Sequence, residues 1–115
     1  MKGFKDSEVN KHLKKEQNSK NNNSALFQNA LILQKKGEFM EAGIIYNKLI
    51  QNKFFEEKVF LNYALICQHQ KKVNDAILLL KQAIKINPKN FIPFFKMGYI
   101  LNNSGRFYEA YPFAE

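Results

Sequence analysis

From Ser24 onward the apolar positions of this chain recur at three- and four-residue spacing: Leu26, Ala30 and Leu33, then Ile45 and Leu49, then Phe60, Ala64 and Cys67. That is the period of one helix face. It predicts helix pairs at about 24–36 with 39–52, 57–70 with 73–86, and 91–104 with 107–115. The turns inside the pairs are short: Gly37, Lys71-Lys72 and Gly105. Glycine at two of them suits a helix stop, which needs positive φ. Glu41, Asp75 and Glu109 fall near the first turn of each second helix, where the dipole favours negative charge. Asn87-Pro88-Lys89-Asn90 closes the second pair, because proline cannot continue a helix and biases Asn87 away from helical geometry. No strand-like alternation of useful length occurs.

The pairs repeat. Ala42, Ala76 and Ala110 are spaced 34 residues apart twice over. Similar phrases surround them: Gly37-Glu38-Phe39-Met40-Glu41, Lys71-Lys72-Val73-Asn74-Asp75 and Gly105-Arg106-Phe107-Tyr108-Glu109. Twelve residues before each alanine stands another small residue: Ala30, Ala64 and Gly98. Small residues let two helices approach closely. A fixed period of this length signals a repeat architecture, whose units cannot bury their apolar faces alone.

These positions resemble the tetratricopeptide repeat (TPR), a 34-residue helix–turn–helix unit. The slot usually held by Trp carries Leu26, Phe60 and Phe94. The aromatic slot after the turn carries Phe39, Val73 and Phe107, and the later one carries Tyr46 and Leu80. Pro88 supplies the closing proline of the second unit. Departures are Asn29 for the usual Leu, Phe54 for the usual Pro and Lys71 for the turn Gly. The third unit stops within its second helix, with Pro112 inside it and Ala114 at the aromatic slot. The resemblance implies an all-α fold, a right-handed stack of antiparallel helix–turn–helix repeats (a TPR-like α-solenoid) of about two and a half units. The units would be 23–56, 57–90 and an incomplete 91–115. Such a stack needs about three repeats and a polar cap. The expectation is therefore an N-terminal piece of a longer protein, or else closure of the open end by self-association.

Residues 1–22 carry six Lys and three acids with few apolar residues, and are expected to be a disordered basic tail. The net charge is +8, but 17 of the 18 basic residues are Lys and only Arg106 is Arg. Lys lacks the bidentate fork that favours phosphate and base recognition, so nucleic acid is not the expected partner. The 14 Asn residues beside the Lys and Ile also fit an AT-rich coding bias. Cys67 is the single cysteine, which excludes an intrachain disulfide or Cys-based metal site. The N-terminus shows no secretory signal pattern and no apolar run is long enough for a membrane helix. A cytoplasmic setting is expected.

In TPR proteins the first helices of the pairs line a concave groove that takes peptide segments. The resemblance places Phe27, Leu31 and Lys35 there from the first unit, and Lys58, Leu61, Leu65, Gln68 and His69 from the second. Ile92, Phe95, Lys96, Tyr99 and Asn103 come from the third. An apolar strip with cations nearby suggests an amphipathic, somewhat acidic partner segment. The carboxylate clamp of chaperone-binding TPR domains is not expected: Asn62 and Lys96 match two of its positions, but Phe27, Leu31 and Ile92 occupy the other three.

No catalytic constellation, cofactor motif or metal site is expected. Cys67 falls on a core-facing slot, and His69, two residues on, points elsewhere. There is no phosphate-cradling glycine loop, no HExxH and no compact carboxylate pair. The expected function is a protein-interaction module, scaffold or adaptor without catalysis of its own. Two alternatives stay open at this level. One is an accessory repeat region of a longer enzyme, for example a transferase. The other is a basic nucleic-acid-binding protein.

Overall fold

The computed structural model describes residues 22–106. Among them the chain is a succession of helices: α1 over residues 22–35, α2 Phe39–Gln51, α3 Glu57–His69, α4 Val73–Ile86 and α5 Ile92–Asn103. The helices start and stop within about two residues of the periodicity. Helix is already present at Asn22, two residues before the expected start. The rest of the basic tail, the sixth helix at 107–115 and Ala110 lie outside the described residues. The architecture is an all-α stack of antiparallel helix pairs: two complete pairs and the first helix of a third among the described residues.

The turns repeat as faithfully as the apolar slots do. After α1, the Glu38 N–H donates to the Leu33 carbonyl at 2.9 Å and the Gly37 N–H to that of Gln34 at 3.0 Å. After α3, Lys72 donates to Cys67 at 2.8 Å and Lys71 to Gln68 at 3.0 Å. After α5, Arg106 donates to Leu101 at 2.8 Å and Gly105 to Asn102 at 3.2 Å. This is one Schellman stop written three times with the period of the sequence. Its left-handed position is taken by Gly37 (φ 81°), Lys71 (φ 61°) and Gly105 (φ 77°). A fourth copy ends α2, with Lys53 at φ 60° and Phe54 donating to Leu49. Phe54, standing where the repeat usually has proline, also packs on the first core. The conformation that Lys71 departs from in composition is thus kept in geometry.

Two cores result. The first gathers Ala30, Ala42, Tyr46, Leu49, Val59 and Ile66. The second gathers Ala64, Cys67, Ala76, Ile77, Leu80, Met97, Ile100 and Leu101. Helix α3 contributes to both, and Tyr63 packs against both. The small slots Ala30, Ala42, Ala64 and Ala76 are all at most 2% exposed. Gly98 is buried as well. The loop after α4 is tied back to the start of α3: the side-chain amides of Asn87 and Asn90 both donate to the Glu57 carboxylate. The Tyr46 ring is fully buried, and its hydroxyl donates to Gln34 Oε1 at 2.6 Å. Burial pushes the Tyr46 phenol up to about 12.

Two outcomes follow from these geometries. A non-glycine residue at positive φ costs about 1–2 kcal/mol, part of which glycine returns as entropy of the unfolded chain. Lys71→Gly should therefore raise the unfolding free energy by about 0.5–1 kcal/mol, read as a higher urea midpoint at unchanged slope. For Tyr46, the folded state holds the proton that the unfolded state has lost between pH 10 and about 12. Its contribution is complete below pH 10 and is lost as pH rises through that window. Tyr46→Phe should flatten this part of the alkaline stability curve.

Candidate functional site

Two hollows flank α3 on the side of the first helices. One, of about 510 Å³, is lined by Gln68 of α3, Phe91 ahead of α5, and Ile92, Phe95, Lys96 and Tyr99 of α5. Phe91, Ile92, Phe95 and Tyr99 fall on successive turns, so one face of α5 presents a continuous apolar strip. That strip is exposed: Phe91 74%, Phe95 72%, Tyr99 55% and Ile92 47%. The other hollow, of about 320 Å³, is lined by Leu31, Gln34 and Lys35 of α1, Phe39 of α2, and Asn62, Leu65 and His69 of α3. Here the His69 imidazole stacks on the Phe39 ring, centroids 4.8 Å apart and planes within 7°. The Asn62 amide nitrogen donates to the Lys58 carbonyl one turn back. The Gln34 oxygen is held by Tyr46.

The residues expected from the sequence divide accordingly. Leu31, Lys35, Leu65 and His69 meet in the α1–α3 hollow. Gln68, Ile92, Phe95, Lys96 and Tyr99 meet in the α3–α5 hollow. Phe27 turns to the first core, edge-on to Tyr46 and Phe54 at centroid distances of 6.2 and 6.3 Å. Leu61 is half-buried against the second core. Lys58 and Asn103 are exposed at the start of α3 and the end of α5, outside the lining of both hollows. Gln34, Asn62 and Phe91 are not among the expected groove residues, Asn62 matching only a clamp position. Gln34 lies one turn after Leu31, so helical spacing could have found it. Phe91 stands one turn before Phe95 at the start of the helix expected over 91–104, so the same spacing could have found it. Phe39, expected as a core slot, also forms a wall.

Among the described residues, neither hollow is lined by an acid. Two hollows elsewhere, around Cys67 and around Lys71 with Arg106, share Asp75. The described linings of these two hollows are therefore apolar and cationic, with Lys35 and Lys96 as their charged residues.

The fold has known counterparts. A crystal structure of the Yersinia enterocolitica type III secretion chaperone SycD, in complex with a peptide of the translocator YopD, superposes with a TM-score of 0.73. It is 18% identical, over 78% of this chain and 69% of that one. A crystal structure of MamA gives a TM-score of 0.73 at 18% identity, over 82% of this chain and 57% of that one. YrrB, described as a TPR protein with an unusual peptide-binding site, gives 0.67 at 16% identity, over 76% of this chain and 45% of that one. No protein-family model matches the sequence, and no match to a curated protein is found. The fold is thus the TPR-type α-solenoid that the 34-residue period implied. Among the described residues no helix is long and apolar enough to cross a membrane.

The side chain with most intrinsic reactivity is not set up to react. Cys67 is 3% exposed. Its thiol is pushed up by burial first, then by the charge of Asp75, with Lys72 partly offsetting. A thiolate, the reactive form, is disfavoured there. In the native state Cys67 should react with a disulfide reagent at neutral pH far more slowly than after unfolding in urea. Labelling as fast as a free thiol would show an activated cysteine.

Proposed function

We propose that this chain is a protein-interaction module that captures a segment of a partner protein along the side formed by α1, α3 and α5. The observation that carries the reading is the exposed apolar strip of α5 around the larger hollow. An apolar surface left open and rimmed by polar groups marks an interaction site, since water contact there is costly without a partner. The cations Lys35 and Lys96 line the hollows and Lys58 sits near them at the start of α3. With no acid among the described linings of the hollows, these cations favour an amphipathic, acidic segment. The solved neighbours support this class of function: SycD was crystallised with a peptide of YopD, and YrrB carries a peptide-binding site. The expected groove residues, including Phe27, Leu61 and Asn103 at its margins, are kept in this reading as its framework. A cytoplasmic adaptor or scaffold fits a single, buried, reduced cysteine.

A labelled library of synthetic acidic amphipathic peptides tests this by fluorescence polarisation. The tightest binder should lose about tenfold in affinity on Phe95→Ala, which removes an exposed ring and leaves the fold intact. It should lose a similar factor on the double change Lys58→Glu with Lys96→Glu. A library without a binder, or a binder indifferent to both variants, would sink the proposal.

A further inference from the structure

We infer that the groove is polarised: it takes an extended peptide with a carboxylate in the α1–α3 hollow and a bulky apolar side chain in the α3–α5 hollow, about three residues apart. This rests on the interaction reading above and specifies the ligand that it takes.

The two hollows have different chemistry. The α3–α5 hollow is walled by Phe91, Ile92, Phe95 and Tyr99, with Gln68, Lys96 and the Tyr99 hydroxyl as the polar groups of its described lining. It suits an aromatic or long aliphatic anchor, which gains by leaving water. The α1–α3 hollow is the polar one, and its donors are already sorted. Tyr46 occupies the oxygen of Gln34, so the amide of Gln34 has its N–H₂ left to donate. Gln34 and Lys35 line the same hollow, and an amide N–H₂ and an ammonium together suit a carboxylate through charge-assisted hydrogen bonds. Asn62 is sorted the opposite way. Its nitrogen is committed to the Lys58 carbonyl, which leaves its oxygen to accept a peptide N–H. The stacked pair Phe39 and His69 gives this hollow a flat wall against which a peptide backbone can lie.

The spacing follows from the divider. A single helix, α3, separates the hollows, with Leu65 and His69 lining one and Gln68 the other. A helix with its side chains is about 10 Å across. An extended chain covers that in about three residues at about 3.3 Å each, whereas a helix needs about seven at about 1.5 Å.

The test uses ¹⁵N shift titrations of the whole chain with synthetic peptides in a Gly-Ser background. Each peptide carries one Asp and one Phe, their separation varied from one residue to about seven. The expected result is tightest binding at a separation of about three. The amide signals of Gln34 and Lys35 should follow the Asp, and those of Phe95 and Tyr99 the Phe. Gln34→Glu keeps the acceptor for the Tyr46 hydroxyl but places a negative charge in the acidic subsite. It should weaken the Asp peptide about tenfold and leave the peptide with Asn in its place unchanged. Binding that ignores separation and the Gln34 change overturns the polarity while the interaction reading stands. An optimum near seven overturns the extended occupant. Binding by none of the peptides, in a chain that does bind other segments along α5, overturns the ligand class alone. Binding of nothing along α5 overturns both readings.

Discussion

The structure depends on burying α3 from two sides at once. A helix pair has one apolar face more than it can cover by itself. In this chain Val59 and Ile66 carry α3 into the first core, while Ala64 and Cys67 carry it into the second. Such close approach on both flanks is possible only because the contacting positions are small. Ala30, Ala42, Ala64 and Ala76 are all buried with essentially no exposed surface, and any larger side chain would push helices apart. Tyr63, touching both cores, makes their stabilities interdependent. Substitutions on either side of α3 should therefore show coupling rather than simple additivity.

Turn geometry has to agree with that packing. Each first helix of a pair ends in the same two backbone hydrogen bonds, so each second helix folds back at the same place relative to the small residues. Lys71 shows which of the two requirements dominates. It holds a left-handed backbone that favours glycine, and the second core, with Ala64 before the turn and Ala76 after it, fixes where that turn must lie. The ties from Asn87 and Asn90 to Glu57 do the same for the loop between units, anchoring the start of α5 against the start of α3. Phe91, next after Asn90 in the chain, lines the larger hollow together with Gln68 of α3.

Once the cores are satisfied, the side chains left over form the surface proposed for interaction. Phe91, Phe95 and Tyr99 find no partner in either core and stay largely in solvent. In the first unit the ring equivalent to Phe95, Phe27, is drawn against Tyr46 and Phe54. The same slot thus stabilises the fold in one repeat and faces outward in another. The two ends of the groove acquire their different character from this divergence, with amides and a Lys beside α1 and bare aromatic rings on α5.

Periodicity was readable from the chain alone: where helices begin and end, which positions are small, and where the chain turns. These are local or strictly repeated properties. Apolar spacing at three and four, a residue that stops a helix and a 34-residue interval are all visible without knowing what touches what. Most of the residues in the two hollows were legible for the same reason, since equivalent positions in each repeat share a face. Packing alone settled how equivalent positions diverge. Phe27 and Phe95 occupy one slot, yet Phe54 after α2 captures the first and neither described core captures the second. Gln34 keeps only its N–H₂ for a ligand because Tyr46, twelve residues away, holds its oxygen. Phe91 joined the site through a loop held by Glu57, 34 residues before it in the chain. Burial and hydrogen-bond partners come from distant residues meeting, and no single-chain pattern encodes which of two equal slots will find a neighbour.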